Sequence, residues 1–146
     1  TADETSDDPT VRRCIGYARA WGFGGLTMLN IFGFRATDPR VMRAAADPVG
    51  PNTDEHIRYW SRKAVEEGGA VLCAWGNHGE FRDRGRRVKA ILENAGVPAA
   101  CLGRTSFGQP KHPLYLPKSA LPVSYIGRGG LLWSAEWRAL IVGARP

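Results

Sequence analysis

Leu26-Thr27-Met28-Leu29-Asn30-Ile31-Phe32 and Ala70-Val71-Leu72-Cys73-Ala74-Trp75 decide the fold. Each is a short, nearly continuous apolar run behind paired glycines, Gly24-Gly25 and Gly68-Gly69. Runs of this length are short for helices and lack the alternation of a half-exposed strand. They predict strands buried on both faces, as in a parallel sheet. Asn30 is the single amide in the first run. Ala99 to Gly103 predicts a third short strand.

Helical periodicity fills the intervals. Asp7-Asp8-Pro9 is a helix start, with Asp as cap and Pro at the first helical position. Val11, Cys14, Ile15 and Ala18 follow on one face, and Gly22 ends the helix after Trp21. Thr37-Asp38-Pro39 caps a short helix through Ala45. Residues 47–52 hold two prolines and a glycine and predict a loop. A second long helix runs from about Thr53 to Glu67, with Ile57, Trp60 and Ala64 as its buried stripe. A third runs from about Glu80 to Ala95, with Phe81, Val88, Ile91, Leu92 and Ala95 inward and Arg82, Arg84, Arg86, Arg87 and Lys89 outward. Leu131-Leu132-Trp133 and Ala139 to Val142 suit a strand or a terminal helix turn.

Helix alternating with strand gives an α/β three-layer sandwich: a mostly parallel central sheet flanked by helices. Residues 1–118 form a single α/β domain, and 119–146 form a C-terminal extension. A chain of 146 residues has room for one such core. It contains no run of eighteen apolar residues, so no membrane span is expected. Cys14, Cys73 and Cys101 are too few and too scattered for a disulfide framework, which points to a reducing cytoplasm and buried thiols. They also lack the tight pairs of a zinc site, and no metal and no cofactor is expected. Net charge is +6, and 16 of the 20 basic residues are Arg. That balance suits a phosphate or carboxylate partner, including a polyanion.

In a parallel sheet, ligands sit beyond the carboxyl ends of the strands. The candidate site therefore lies on three loops: Asn30 to Arg35, Gly76 to Gly79, and Arg104 to Tyr115. His112, before Pro113, could donate to an anion developing on a leaving group; the alternative is a loop histidine bonded to backbone. Asn30 could present its amide to a planar ligand or bond loop backbone. His78 lies between Gly76 and Gly79, which allow close approach of a ligand; the alternative is a simple turn. The ligand-facing set is thus Asn30, Phe32, Trp75, Gly76, Asn77, His78 and Pro113. Arg35, Arg82, Arg86, Arg104 and Lys111 are the phosphate-binding candidates. Of the aromatics near loop ends, Trp21, Phe32, Phe34, Trp75 and Phe107, one could stack a base while the others pack the core. No G-x-G-x-x-G, Walker loop or G-x-S-x-G is present.

Asp7-Asp8-Pro9-Thr10-Val11-Arg12-Arg13-Cys14, Trp21-Gly22-Phe23-Gly24-Gly25-Leu26, Asp47-Pro48-Val49-Gly50-Pro51-Asn52, Ala74-Trp75-Gly76 and His112-Pro113-Leu114-Tyr115-Leu116 carry a family pattern. Over residues 1 to about 118 the chain resembles the bacterial and phage domain of unknown function 1643 family. That family's usual pattern has a first strand and an Asn-Pro-Ser triplet directly before Thr-Ala-Asp, so the resemblance implies a chain lacking its usual N-terminal strand. Leu29-Asn30, Trp75-Gly76 and His112-Pro113, in that order, resemble more distantly the uracil-DNA glycosylase superfamily. That resemblance implies the fold of those enzymes, base recognition by Asn30, and assistance to the departing base by His112. The serine-rich intercalating loop of that superfamily is replaced here by Leu114-Tyr115-Leu116. Two expectations follow: a glycosylase-like hydrolase acting on a nucleobase in DNA or a nucleotide, or a non-catalytic nucleic-acid or nucleotide-binding module.

Overall fold

The computed structural model describes residues 8–33, 40, 46–127 and 138–143. Three α-helices and five strands account for most of it: α1 (Pro9–Ala20), β1 (Gly25–Asn30), α2 (Thr53–Glu66), β2 (Ala70–Ala74), α3 (Arg84–Asn94), β3 (Ala99–Cys101), β4 (Val123–Ile126) and β5 (Arg138–Gly143). A 3₁₀ segment, Gly76–Asp83, leads into α3, and a 3₁₀ turn spans Pro113–Tyr115.

The sheet order is β1-β5-β2-β3-β4. Pairings β1–β5, β5–β2 and β2–β3 are parallel, and β4 closes one edge antiparallel to β3. The α/β architecture with a mostly parallel sheet is therefore as the alternation of elements implies. The neighbour relations are not. β1 and β2 do not pair; β5, from the far end of the chain, lies between them in register, with Gly143 opposite both Asn30 and Ala74. Residues 119–146 thus contribute two strands to the same sheet.

Two apolar layers fix the sandwich. On one face Ile57 of α2 and Val88 and Leu92 of α3 pack with Val71, Cys73, Ala99 and Val142. On the other, Cys14 and Tyr17 of α1 pack with Leu72, Ala74, Ala100 and Ile141. Strand β2 is buried at every position. Strand β1 is not: its side chains are half-buried and Asn30 is exposed. The expectation of burial on both faces fails there because, among the described residues, β1 pairs only with β5.

The helices depart from their expected stripes for geometric reasons. Asp8 caps α1, accepting from Thr10 N at 2.8 Å and Val11 N at 3.3 Å. Its buried face is Thr10, Val11, Cys14, Tyr17 and Ala18. Ile15 lies about 100° of helix rotation from the centre of that face and is 37% exposed. On α2 the sheet receives Ile57 and Ser61, so Trp60, one position round, is 41% exposed. The expected third helix divides. Arg82 and Asp83 both have φ of 54°, in the left-handed region unfavourable to side chains, and this break separates the 3₁₀ segment from α3. The short helix expected over Thr37 to Ala45, the run Leu131 to Trp133, and Phe34 and Arg35 lie outside the described residues, apart from Arg40, which is helical. Among the described residues no helix is long and apolar enough to cross a membrane.

Candidate functional site

The carboxyl ends of β1, β5 and β2 stand in one row, Asn30–Gly143–Ala74. At ordinary strand spacing this places the Asn30 and Ala74 backbones about 10 Å apart. Gly143 between them carries no side chain, and a Cβ there would lie 3.4 Å from Ala74 O. Ile31 N–H donates to Gly143 O at 2.9 Å and ties the turn after β1 to this row.

The loop after β2 meets the loop after β3. Gly76 N–H donates to Pro110 O at 2.7 Å. Gly76 has a φ of +63°, and a Cβ on it would stand 2.9 Å from the Cβ of His112. Glycine is needed twice over, by backbone conformation and by space. The contact sets His112 beside His78, with ring centroids 6.3 Å apart and planes at 64°.

His112 is held further by its own backbone. Its Nδ1 accepts from Leu114 N–H at 3.3 Å, capping the turn that Pro113 begins. With Nδ1 accepting, the neutral ring carries its proton on Nε2. His112 is therefore a hydrogen-bond donor through Nε2. One nitrogen of this histidine thus serves the backbone, as the loop-histidine alternative expects. Downstream, α1 clamps the chain, with Arg13 Nη1 donating to Leu116 O at 3.0 Å and Tyr17 Oη to Pro117 O at 2.7 Å.

Several expected ligand residues are structural. Trp75 is fully buried; its Nε1–H donates to Gln109 Oε1 at 2.7 Å, and its ring meets Tyr125 edge-on at 6.0 Å. Phe32 is buried against Phe81, ring centroids 5.7 Å apart. Pro113 is buried. Asn77 is exposed, and its Oδ1 accepts from Thr105 Oγ1 at 2.7 Å, joining the two loops. Of the phosphate candidates, Arg82 is exposed with its guanidinium 5.5 Å from the Phe81 ring centre. Arg86 pairs with Asp83 at 3.3 Å on the surface. Arg104 is exposed and lies over Tyr125 at 5.2 Å, and Lys111 is half-buried over Gly103. Arg82 and Arg86 belong to the helix approach, whereas Arg104 and Lys111 share the loop of His112. Arg35 lies outside the described residues.

Arg84 was expected on the outer face of its helix. It is 3% exposed. Nε donates to Ile31 O at 2.6 Å, and Nη1 pairs with Asp54 at 2.5 Å. Burial pushes the guanidinium pKa down, and Asp54 opposes that shift. The side chain ties the turn after Asn30 to both α2 and α3. The spacing itself carried the signal: Arg84 stands four residues before Val88, on the face of Val88, Ile91 and Leu92, and only its charge argued for the outside. Gly85, a glycine inside a helical pattern, was a second sign of close approach; a Cβ there would meet Gln109 and Trp75.

The family model for proteins of unknown function, DUF1643, matches residues 1–114. The chain belongs to the DUF1643 family. The match to DUF1643 takes in the first two loops and the third as far as Leu114, the residue whose N–H caps against His112. No curated protein and no solved structure matches the chain. Among the described residues of this DUF1643 protein no group of His, Cys, Asp or Glu is arranged to hold a metal ion.

Proposed function

We propose that the protein is a glycosylase-like hydrolase that releases a nucleobase from DNA or a nucleotide. The observation that carries this reading is the placement of His112 against Gly76 at the carboxyl end of β2, with its ring beside His78 and its Nδ1 accepting from Leu114 N–H. Cleaving an N-glycosidic bond breaks the C1′–N bond, and the base departs with the electron pair. Water oxygen bonds to C1′, and a water proton ends on the base. The step needs charge stabilisation on the leaving base more than a strong nucleophile. His112 Nε2–H supplies that hydrogen bond. Asn30, exposed at the end of β1, offers an amide able to pair with a base edge. The finer likeness to the uracil-DNA glycosylase fold belongs to this proposal, supported by the order of Asn30, Trp75-Gly76 and His112-Pro113 along the chain. So does a reducing, cytoplasmic setting, supported by three buried free thiols.

The test is release of free base from oligonucleotides and nucleotides bearing deaminated, oxidised or alkylated bases, with His112→Ala beside the wild type. Release that disappears in the variant supports the reading. No release from any substrate, with His112→Ala indistinguishable, overturns it. Retained nucleic-acid affinity in that event would leave the binding-module reading, which the exposed Arg82, Arg86 and Arg104 favour.

A further inference from the structure

The loop that carries His112 also carries a hairpin whose foot packs on the fold and whose tip does not. Its rungs are Lys111 N to Gly103 O at 2.9 Å, an Arg104–Pro110 bridge, and Thr105 N to Gln109 O at 2.8 Å. Gly108 N–H closes the tip onto Thr105 O at 2.9 Å, and Gly108 takes a φ of +79°. Thr105 Oγ1 accepts from Phe107 N at 3.3 Å and Gln109 N at 3.2 Å while donating to Asn77. Gln109 links Trp75 to Glu80, whose Oε1 accepts from Gln109 Nε2 at 2.9 Å. The hairpin is thus braced to the loop after β2 at Gly76, Asn77 and Trp75.

A large aromatic crowns this rigid element. Phe107 is 65% exposed. A Cβ on the adjacent Gly108 would meet nothing within 4 Å, so the tip stands clear of the body. Among the described aromatics near loop ends, Trp75 and Phe32 are buried and Trp21 stacks on Tyr17 at 5.2 Å. Phe107 alone of these presents its ring to solvent. Exposing a benzyl group on an otherwise polar tip gives folding nothing. Holding it on a fixed frame lowers the entropy cost of a stacking contact.

We infer that Phe107 is a stacking platform for an unpaired base of a DNA strand, placed five residues before His112 on the same loop. The inference rests on the proposed function and narrows its substrate from nucleotide to strand. Exposed Arg104 and half-buried Lys111 at the foot of the hairpin suit the phosphates beside a stacked base, in a chain of net charge +6. Glu80 is the acidic group at the same loop, held by Gln109. A single projecting ring with cationic neighbours fits a nucleic-acid strand better than a protein, whose interface would require a contiguous apolar patch.

The experiment measures binding of a single-stranded oligonucleotide containing 2-aminopurine at low salt. Wild type is expected to bind and to change the fluorescence of 2-aminopurine. Phe107→Ala is expected to bind about tenfold more weakly, with the fluorescence change lost, and Phe107→Trp to restore both. Unchanged thermal stability of Phe107→Ala shows that the loss is not unfolding. Absence of binding by the wild type, or binding that Phe107→Ala leaves unchanged, overturns the inference. Phe107-dependent binding without base release keeps this inference and removes the enzymatic one; base release with Phe107-independent binding does the reverse.

Discussion

Gly76 lies so close to His112 that no side chain fits between them: a Cβ would stand 2.9 Å from the His112 Cβ. The glycine also holds a left-handed φ of +63°. Gly76→Ala should therefore cost roughly 2 kcal/mol, part from backbone conformation and part from the clash. Urea unfolding of wild type and variant measures it. Because the clash pushes on His112, base release should fall further than stability explains.

His112 has a structural bond at Nδ1, and the proposed function gives it a chemical role through Nε2. His112→Ala removes the acceptor for Leu114 N–H, a loss of roughly 1 kcal/mol. Base release should drop by about 10²-fold or more if Nε2 is the donor. Comparing unfolding midpoints with release rates separates the two, and a rate that stays near wild type would remove His112 from the chemistry.

Arg84 is buried with its charge balanced by Asp54. Arg84→Ala leaves Ile31 O without its donor and should destabilise by roughly 3 kcal/mol. Arg84→Met keeps the packing and should cost less, yet it frees the turn after Asn30 equally. Faster amide hydrogen exchange at Ile31 to Gly33 in Arg84→Met would show that the guanidinium fixes this turn; unchanged exchange would show that it does not.

The thiols give a pH prediction. Burial pushes Cys14 up to about 12 from an ordinary 9.0, and raises Cys73 and Cys101 in the same direction. Above pH 9 the unfolded chain releases these protons and the folded chain keeps them. Their stabilisation is full below pH 9 and declines as pH rises from 9 toward 12. A falling unfolding free energy over that window is expected, together with native thiols inert to disulfide reagents at pH 8.

How much of this was legible in the sequence depends on how local each feature is. Pro9 after Asp8, the glycine-bounded run Ala70 to Ala74 and the stripe of Val88, Ile91 and Leu92 act over a few residues, so periodicity and capping chemistry read them. Ile15 and Trp60 were misplaced because a helix's exact rotation is set by what it packs against, and Arg84 because its charge outweighed its spacing from Val88.

The sequence alone determined that this chain builds an α/β sheet between helices, that Asn30 ends a strand, and that His78 and His112 lie in segments following strands. Local apolar runs and turn residues carry that information. Only the tertiary structure decided that β5 separates β1 from β2, that Trp75 serves the core, and that Phe107 projects into solvent from a braced hairpin. Those outcomes depend on contacts between residues far apart in the chain, where pairing partners and free space are set by the whole packed assembly.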